Sequence, residues 1–237
     1  MIPGWITAAA NQFWFQAGDP PPFPRDLDRA LAYALPVSRV ALPQLTVTTV
    51  EAWLAKHQPD FQFETSQRAL RGCLVAFRGT GFIFVDDADD VAEQRFTLAH
   101  EIAHFLLDYY LPRDNTVHRL GSSILPVLDG ERPPAVHERI DAALTSTTLT
   151  YYVHLFDRGR SDAVVDFSER RADELAFELL APAADLDART DAAATAADVA
   201  AVLTDLYGLP VGAAHAYARS WIRQHRPAPS NFAWLRR

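Results

Sequence analysis

Cysteine is almost missing from this sequence. Cys73 stands alone among 237 residues, which excludes an internal disulfide and fits a reducing compartment. Positive charge is also in deficit: 22 Lys and Arg face 30 Asp and Glu, a formal net charge of −8. A dedicated nucleic-acid binder normally presents a basic face, so direct DNA binding is disfavoured and a basic protein partner is compatible. The opening Met1-Ile2-Pro3-Gly4-Trp5 has no basic leader, and no uninterrupted apolar run is long enough for a signal peptide or a membrane span. The expectation is a cytoplasmic protein with no membrane partner. No internal repeat is apparent. What the chain does have is apolar mass: 49% hydrophobic residues can bury a core without covalent staples.

The chemistry concentrates in Arg95-Phe96-Thr97-Leu98-Ala99-His100-Glu101-Ile102-Ala103-His104-Phe105-Leu106-Leu107. It contains His-Glu-x-x-His. On a helix of about 3.6 residues per turn, positions four apart lie nearly one above the other, so His100 and His104 can reach one metal ion, and zinc suits that pair best. Glu101, one step round, falls where a carboxylate serves as general base. The apolar residues around the motif describe a buried helix. Two imidazoles and a carboxylate inside it need partners, and a metal satisfies all three at once. Two structural histidines hydrogen-bonded in a core are the bland alternative.

Catalytic zinc of this kind takes a third protein ligand. The best candidate lies on a second buried helix, Glu169 to Ala181, stopped by Pro182 and with Ser168 as its expected N-cap. Glu169 and Asp173 are four apart, so one carboxylate can ligate while the other takes the free N–H of a ligating histidine. Glu169 as a plain first-turn acid, or Glu174 or Glu178 as the ligand, are the alternatives.

Together, residues 95–107 and the pattern Glu-x-x-Ala-Asp-x-Leu-Ala-x-Glu-Leu-Leu-x-Pro at 169–182 resemble the ImmA/IrrE family of metallo-endopeptidases. The resemblance runs from Gly72 to Leu107 and from Glu169 to Pro182, and more loosely through the C-terminal helices. It implies a zincin-like fold, zinc held by His100, His104 and Glu169, Glu101 as catalytic base, and cleavage of an XRE-type helix-turn-helix repressor in a stress or mobile-element response. Asp173 stands where the family usually has Asn, Leu175 where it has Phe and Ala181 where it has Met. None of these removes a ligand.

Elsewhere, residues 2–17 read as a helix anchored by Trp5, Phe13, Trp14 and Phe15. Asp19 to Pro24 is a polyproline linker, and Asp26 to Leu35 a short helix. Val37 to Val47 suggests an irregular strand and Val50 to His57 a short helix. Two apolar runs meeting at Arg78-Gly79-Thr80-Gly81 predict a hairpin over 71–85. Cys73 in its first strand reads as a small buried hydrophobe. In zinc peptidases with this order of elements the sheet edge beside the metal receives the substrate as an added strand. Between the two metal helices, prolines break residues 105–168 repeatedly. Arg132 to Leu144 is a candidate helix with Ile140 and Leu144 inward, and Leu149 to Phe156 an aromatic-rich strand or helix. Such an insertion suits a lid or specificity wall, and Tyr151, Tyr152 or His154 could stabilise an oxyanion. Ala183 to Ala197 is a linker or loose helix. Asp198 to Tyr207, Gly208 and a helix from Pro210 to Gln224 have the outline of a helix-turn-helix. A two-helix packing hairpin is the favoured alternative there.

The sequence therefore predicts an α+β protein. A zincin-like metallopeptidase domain spans 1–190, with an insertion over about 108–166, and a small C-terminal helical region spans 195–237. Its rivals are a DNA-binding regulator with a structural zinc and an inactive partner-binding module on a peptidase fold. A purely structural zinc site has no need of Glu101.

Overall fold

The computed structural model describes residues 3–57, 63, 66–144, 147, 151–158, 167–191 and 193–225. The chain opens with α1 (Gly4–Ala17) and α2 (Leu27–Ala34), followed by β1 (Val37–Leu42) and α3 (Val47–Leu54). Each short helix is started by a side chain. Asp26 accepts from the backbone N–H of Asp28 and Arg29, and Thr46 and Thr49 form a reciprocal capping box. The predicted hairpin is β2 (Leu70–Phe77) and β3 (Thr80–Asp86). Its turn residues Arg78 and Gly79 both have positive φ, 49° and 79°, the two-residue geometry that matches strand twist.

Asp90 caps the next helix, α4 (Val91–His104), by accepting from Glu93 N–H. Pro112 would be expected to end the helical run, yet the chain continues into a π-helical turn, Phe105–Tyr110, and then α5 (Leu111–Leu120). Proline clashes with the carbonyl four residues back and offers no N–H. The wider turn resolves both problems, and Leu111 N–H reaches back to Leu106 O. Beyond it come α6 (Leu125–Leu128), α7 (Val136–Leu144), β4 (Tyr151–Asp157), α8 (Phe167–Leu180), α9 (Ala183–Arg189), α10 (Ala196–Asp205) and α11 (Val211–His225).

Two local expectations are corrected. Ile140 of α7 is exposed; among the described side chains of this helix the buried one is Glu138, held by Arg132 and by Ala135 N–H, and Leu144 lies outside the described side chains. Ser168 is the second residue of α8, not its cap, and its hydroxyl donates to Asp108 at 2.8 Å.

The four strands lie in the order β1-β3-β2-β4, with β1 parallel to β3 and the other pairs antiparallel. Strand alternation sends Leu74, Ala76, Ile83 and Val85 to the face covered by α4, and Cys73, Val75 and Phe84 to the face covered by α3. Cys73 is a fully buried free thiol whose pKa burial and Glu101 push up. The aromatic-rich stretch of the insertion, left between strand and helix by its sequence, is β4. It forms a sheet edge: among the described residues no strand pairs with its outer side.

The main core joins α1, α2, α4, α8, α10 and α11. Val199, Leu203, Tyr207, Leu209, Tyr217 and Trp221 lie in the same cluster as Ile102, Phe105, Leu175 and Leu179. Tyr217 stacks on Phe177 at 4.4 Å, Trp221 Nε1 donates to Asp187, and Arg95 on α4 donates to Gly208 O. Gly208, at φ 65°, closes α10 with its N–H on Thr204 O and the following Leu209 N–H on Leu203 O. Among the described residues, no helix is long and apolar enough to cross a membrane.

A shared core has a measurable consequence. Leu203→Ala, truncating a fully buried side chain, should cost about 2–5 kcal/mol and lower a single unfolding transition followed by both helical and aromatic signals. Early melting of α10 and α11, with the rest unchanged, would contradict the shared core.

Candidate metal centre

Three elements deliver the site. α4 is buried around its circumference from Phe96 to His104, and His100, Glu101 and His104 are each at most 1% exposed. α8 packs along it and contributes Glu169 and Asp173. β4 turns Tyr152, His154 and Phe156 toward α4 while Val153 and Leu155 enter the α3-side core.

The two α4 histidines are held alike. His100 Nδ1 lies 3.0 Å from Asp173 Oδ1, and His104 Nδ1 lies 2.7 Å from Asp108 Oδ2. The two Nε2 atoms come within 3.2 Å of each other, and with each Nδ1 proton directed to its carboxylate both would offer a lone pair to a bound metal. Glu169 closes the third side: its Oε2 is 3.5 Å from His100 Nε2 and its Oε1 is 3.4 Å from His104 Nε2. His154 closes the fourth, with Nε2 3.0 Å from Glu169 Oε1 and Nδ1 2.9 Å from Glu101 Oε2. It stacks on His104 at 3.7 Å, and Phe156 stacks on His100 at 4.3 Å.

His100, His104, His154 and Glu169 could hold a metal ion, with one donor atom from each lying within 4.8 Å of the others. The other acids are arranged for a positive centre as well. Glu101 Oε1 is buried and has no hydrogen-bond partner among the described residues. It lies against Gly72 of β2, where an added Cβ would stand 2.8 Å from that oxygen and 2.6 Å from Thr97 Cγ2. Bare backbone is therefore required at 72 for the Glu101 carboxylate to sit where it does.

Of the remaining residues singled out in the sequence, Tyr152 donates its hydroxyl to Asp108 at 3.3 Å. Tyr151 is half exposed, and strand alternation turns it to the other face from His154. Glu178 accepts from Ala183 N–H at the far end of α8, and neither it nor Glu174 is among the converging donors. Asp108 escaped the sequence reading. Besides His104 it engages Ser168, Arg171 and Tyr152, so it ties α4, α8 and β4 together. The available signal was its spacing, four residues after His104.

Four carboxylates, Glu101, Glu169, Asp173 and Asp108, thus surround three imidazoles, and without a metal protons on two of the imidazoles offset part of that charge. Burial opposes charge on His100, but Asp173 and Glu169 outweigh it and raise its pKa to about 9. Burial likewise opposes charge on His154, and Glu101 and Glu169 raise it to about 10. Burial alone would raise Glu169, but hydrogen bonds from the three histidines hold it well below the usual carboxylate range.

Residues 48–122 match the Peptidase_M78 family model, the IrrE N-terminal-like domain. This segment carries a metallopeptidase-type domain, in agreement with the family that the sequence resembles. No curated relative matches the chain. The Peptidase_M78 segment contains α4, with His100, Glu101 and His104, and also Asp108. β4 and α8, which bring His154, Glu169 and Asp173, lie outside it.

The histidine shifts give a pH prediction for the metal-free protein. Their folded pKa values exceed the ordinary value of 6.5, so the stability they contribute is present below about pH 6.5 and lost as pH rises through 9 to 10. Urea unfolding in chelator at pH 6.5, 8 and 9.5 should show falling stability. A flat profile would contradict the charge balance.

Proposed function

We propose that the protein is a zinc-dependent endopeptidase in which His100, His104 and Glu169 are metal ligands and Glu101 is the catalytic base. The observation that carries this reading is the convergence of both α4 Nε2 atoms and the Glu169 carboxylate, with Glu101 linked to the same cluster through His154. Imidazole and carboxylate donors suit zinc, and the redox-inert ion needs no further cofactor. Bound there, zinc would supply Lewis acidity that polarises a peptide carbonyl and acidifies water.

The chain's own residues supply the rest. Asp173 and Asp108 fix the tautomer and orientation of His100 and His104. Glu101 would take a proton from the attacking water and return it to the leaving amine. Gly72 sets the position of Glu101 from behind. The outer edge of β4, beside His154, is suited to an extended peptide that adds as a strand, so substrate recognition would rest largely on backbone. An extended segment is available in a folded protein chiefly in loops. With the family resemblance, this favours a helix-turn-helix repressor of the XRE type cut once in an interelement loop, relieving repression in a stress or mobile-element response.

Metal analysis tests the ligand set. One zinc per chain is expected, lost from His100→Ala, His104→Ala and Glu169→Ala and kept by Glu101→Gln. Zinc retained by Glu169→Ala would remove Glu169 as a ligand. Glu101→Gln should lower peptide hydrolysis by roughly 10²–10⁴-fold, and Gly72→Ala should also lower it with the metal still bound. Intact-mass analysis of candidate repressors incubated with wild type and Glu101→Gln reads the cleavage. Identical fragments from both proteins would sink the assignment of Glu101. A tight, salt-sensitive gel shift with duplex DNA would instead favour a DNA-binding regulator.

A further inference from the structure

His154 comes from the insertion, outside the segment that matches the peptidase family, yet it occupies the middle of the site. Donors about 2.0–2.1 Å from a tetrahedral zinc lie about 3.3 Å from one another. His100 Nε2 and His104 Nε2 are 3.2 Å apart and lie 3.5 Å from Glu169 Oε2 and 3.4 Å from Glu169 Oε1, spacings of that order. His154 Nε2 is 3.0 Å from Glu169 Oε1, and one donor atom from each of the four residues lies within 4.8 Å of the others, so His154 can take a fourth position. A catalytic zinc site keeps one corner open, whereas four protein donors close it. The other nitrogen of the same ring, Nδ1, lies 2.9 Å from Glu101 Oε2. One imidazole thus stands both at the corner needed by water or substrate and against the carboxylate that would act on that water.

We propose that His154 is a latch: in the resting protein it is the fourth metal ligand and holds Glu101, and it must leave that corner before a peptide can be cut. The inference rests on the zinc-peptidase reading above. The strand that carries it pairs with β2 along its length, and at its end Asp157 pairs with Arg68 and Arg158 pairs with Asp86 and Asp89 at the entrance to α4. His154 Cα lies three residues before that anchor, opposite Leu74 of β2. Its ring is 11% exposed, against 1% for His100 and His104, while Glu169 at 35% is the most open of the four donors. A peptide adding to the free edge of β4 arrives next to this ring.

The test uses acetohydroxamate, a small chelator that needs a free corner on the metal, titrated by calorimetry into the zinc-loaded full chain. His154→Ala and His154→Gln should each keep one zinc and bind acetohydroxamate about tenfold more tightly than wild type, as expected when a latch closed about nine-tenths of the time is removed. Equal affinity in wild type and both variants overturns the latch. Loss of zinc from both folded variants overturns it too, since His154 would then be an obligatory structural ligand. Should neither variant fold, the cobalt-substituted wild type decides. Little enhancement of water-proton relaxation supports a closed corner, and strong enhancement refutes it. The zinc-peptidase reading fails separately, if wild type takes up no zinc.

Discussion

The structure depends on burying negative charge around imidazole between two packed helices. Glu101 and both histidines of α4 are essentially inaccessible to solvent, and Glu169, Asp173 and Asp108 converge on them. An isolated buried carboxylate costs several kcal/mol, so such a cluster persists only with compensating positive charge. Protons on His100 and His154 supply it in the metal-free state, and a divalent cation would replace them. Much of the architecture answers to that requirement. The apolar circumference of α4 buries the site, the π-helical turn carries Asp108 back to His104, and bare backbone at Gly72 gives the Glu101 carboxylate room.

The helical half of this centre was legible in the sequence because it depends on local periodicity. His100 and His104, like Glu169 and Asp173, are four residues apart, and a helix turns that spacing into a common face whatever surrounds it. The β2–β3 hairpin was legible for the same reason, through the turn at Arg78-Gly79. The strand half was not. Residues 151–156 carry aromatic or apolar side chains on both faces, since Tyr152 and Phe156 turn to α4 while Val153 and Leu155 turn to the α3 side. Such a run carries no period that separates strand from helix. Its pairing with β2, far away in sequence, settles it, and so places His154 among the donors. Asp108 was hidden because Pro112 suggested a break where the chain inserts a wider turn instead.

The insertion is therefore part of the site. It contributes the sheet edge, the third imidazole and Phe156 stacked on His100. The C-terminal helices have an equally integrated place: Tyr207, Tyr217 and Trp221 fill the core behind α4 and α8, and Arg95 of α4 reaches the turn at Gly208 that closes α10. The metal helix is thus held on one side by the sheet and on the other by α8 and its C-terminal supports.

The most direct test of this account is X-ray absorption at the zinc edge of the metal-loaded protein. The account predicts a four-coordinate shell of nitrogen and oxygen at about 2.0–2.1 Å, with outer-shell scattering from imidazole and no sulfur. A sulfur scatterer, a six-coordinate shell of oxygen alone or no zinc uptake would contradict it.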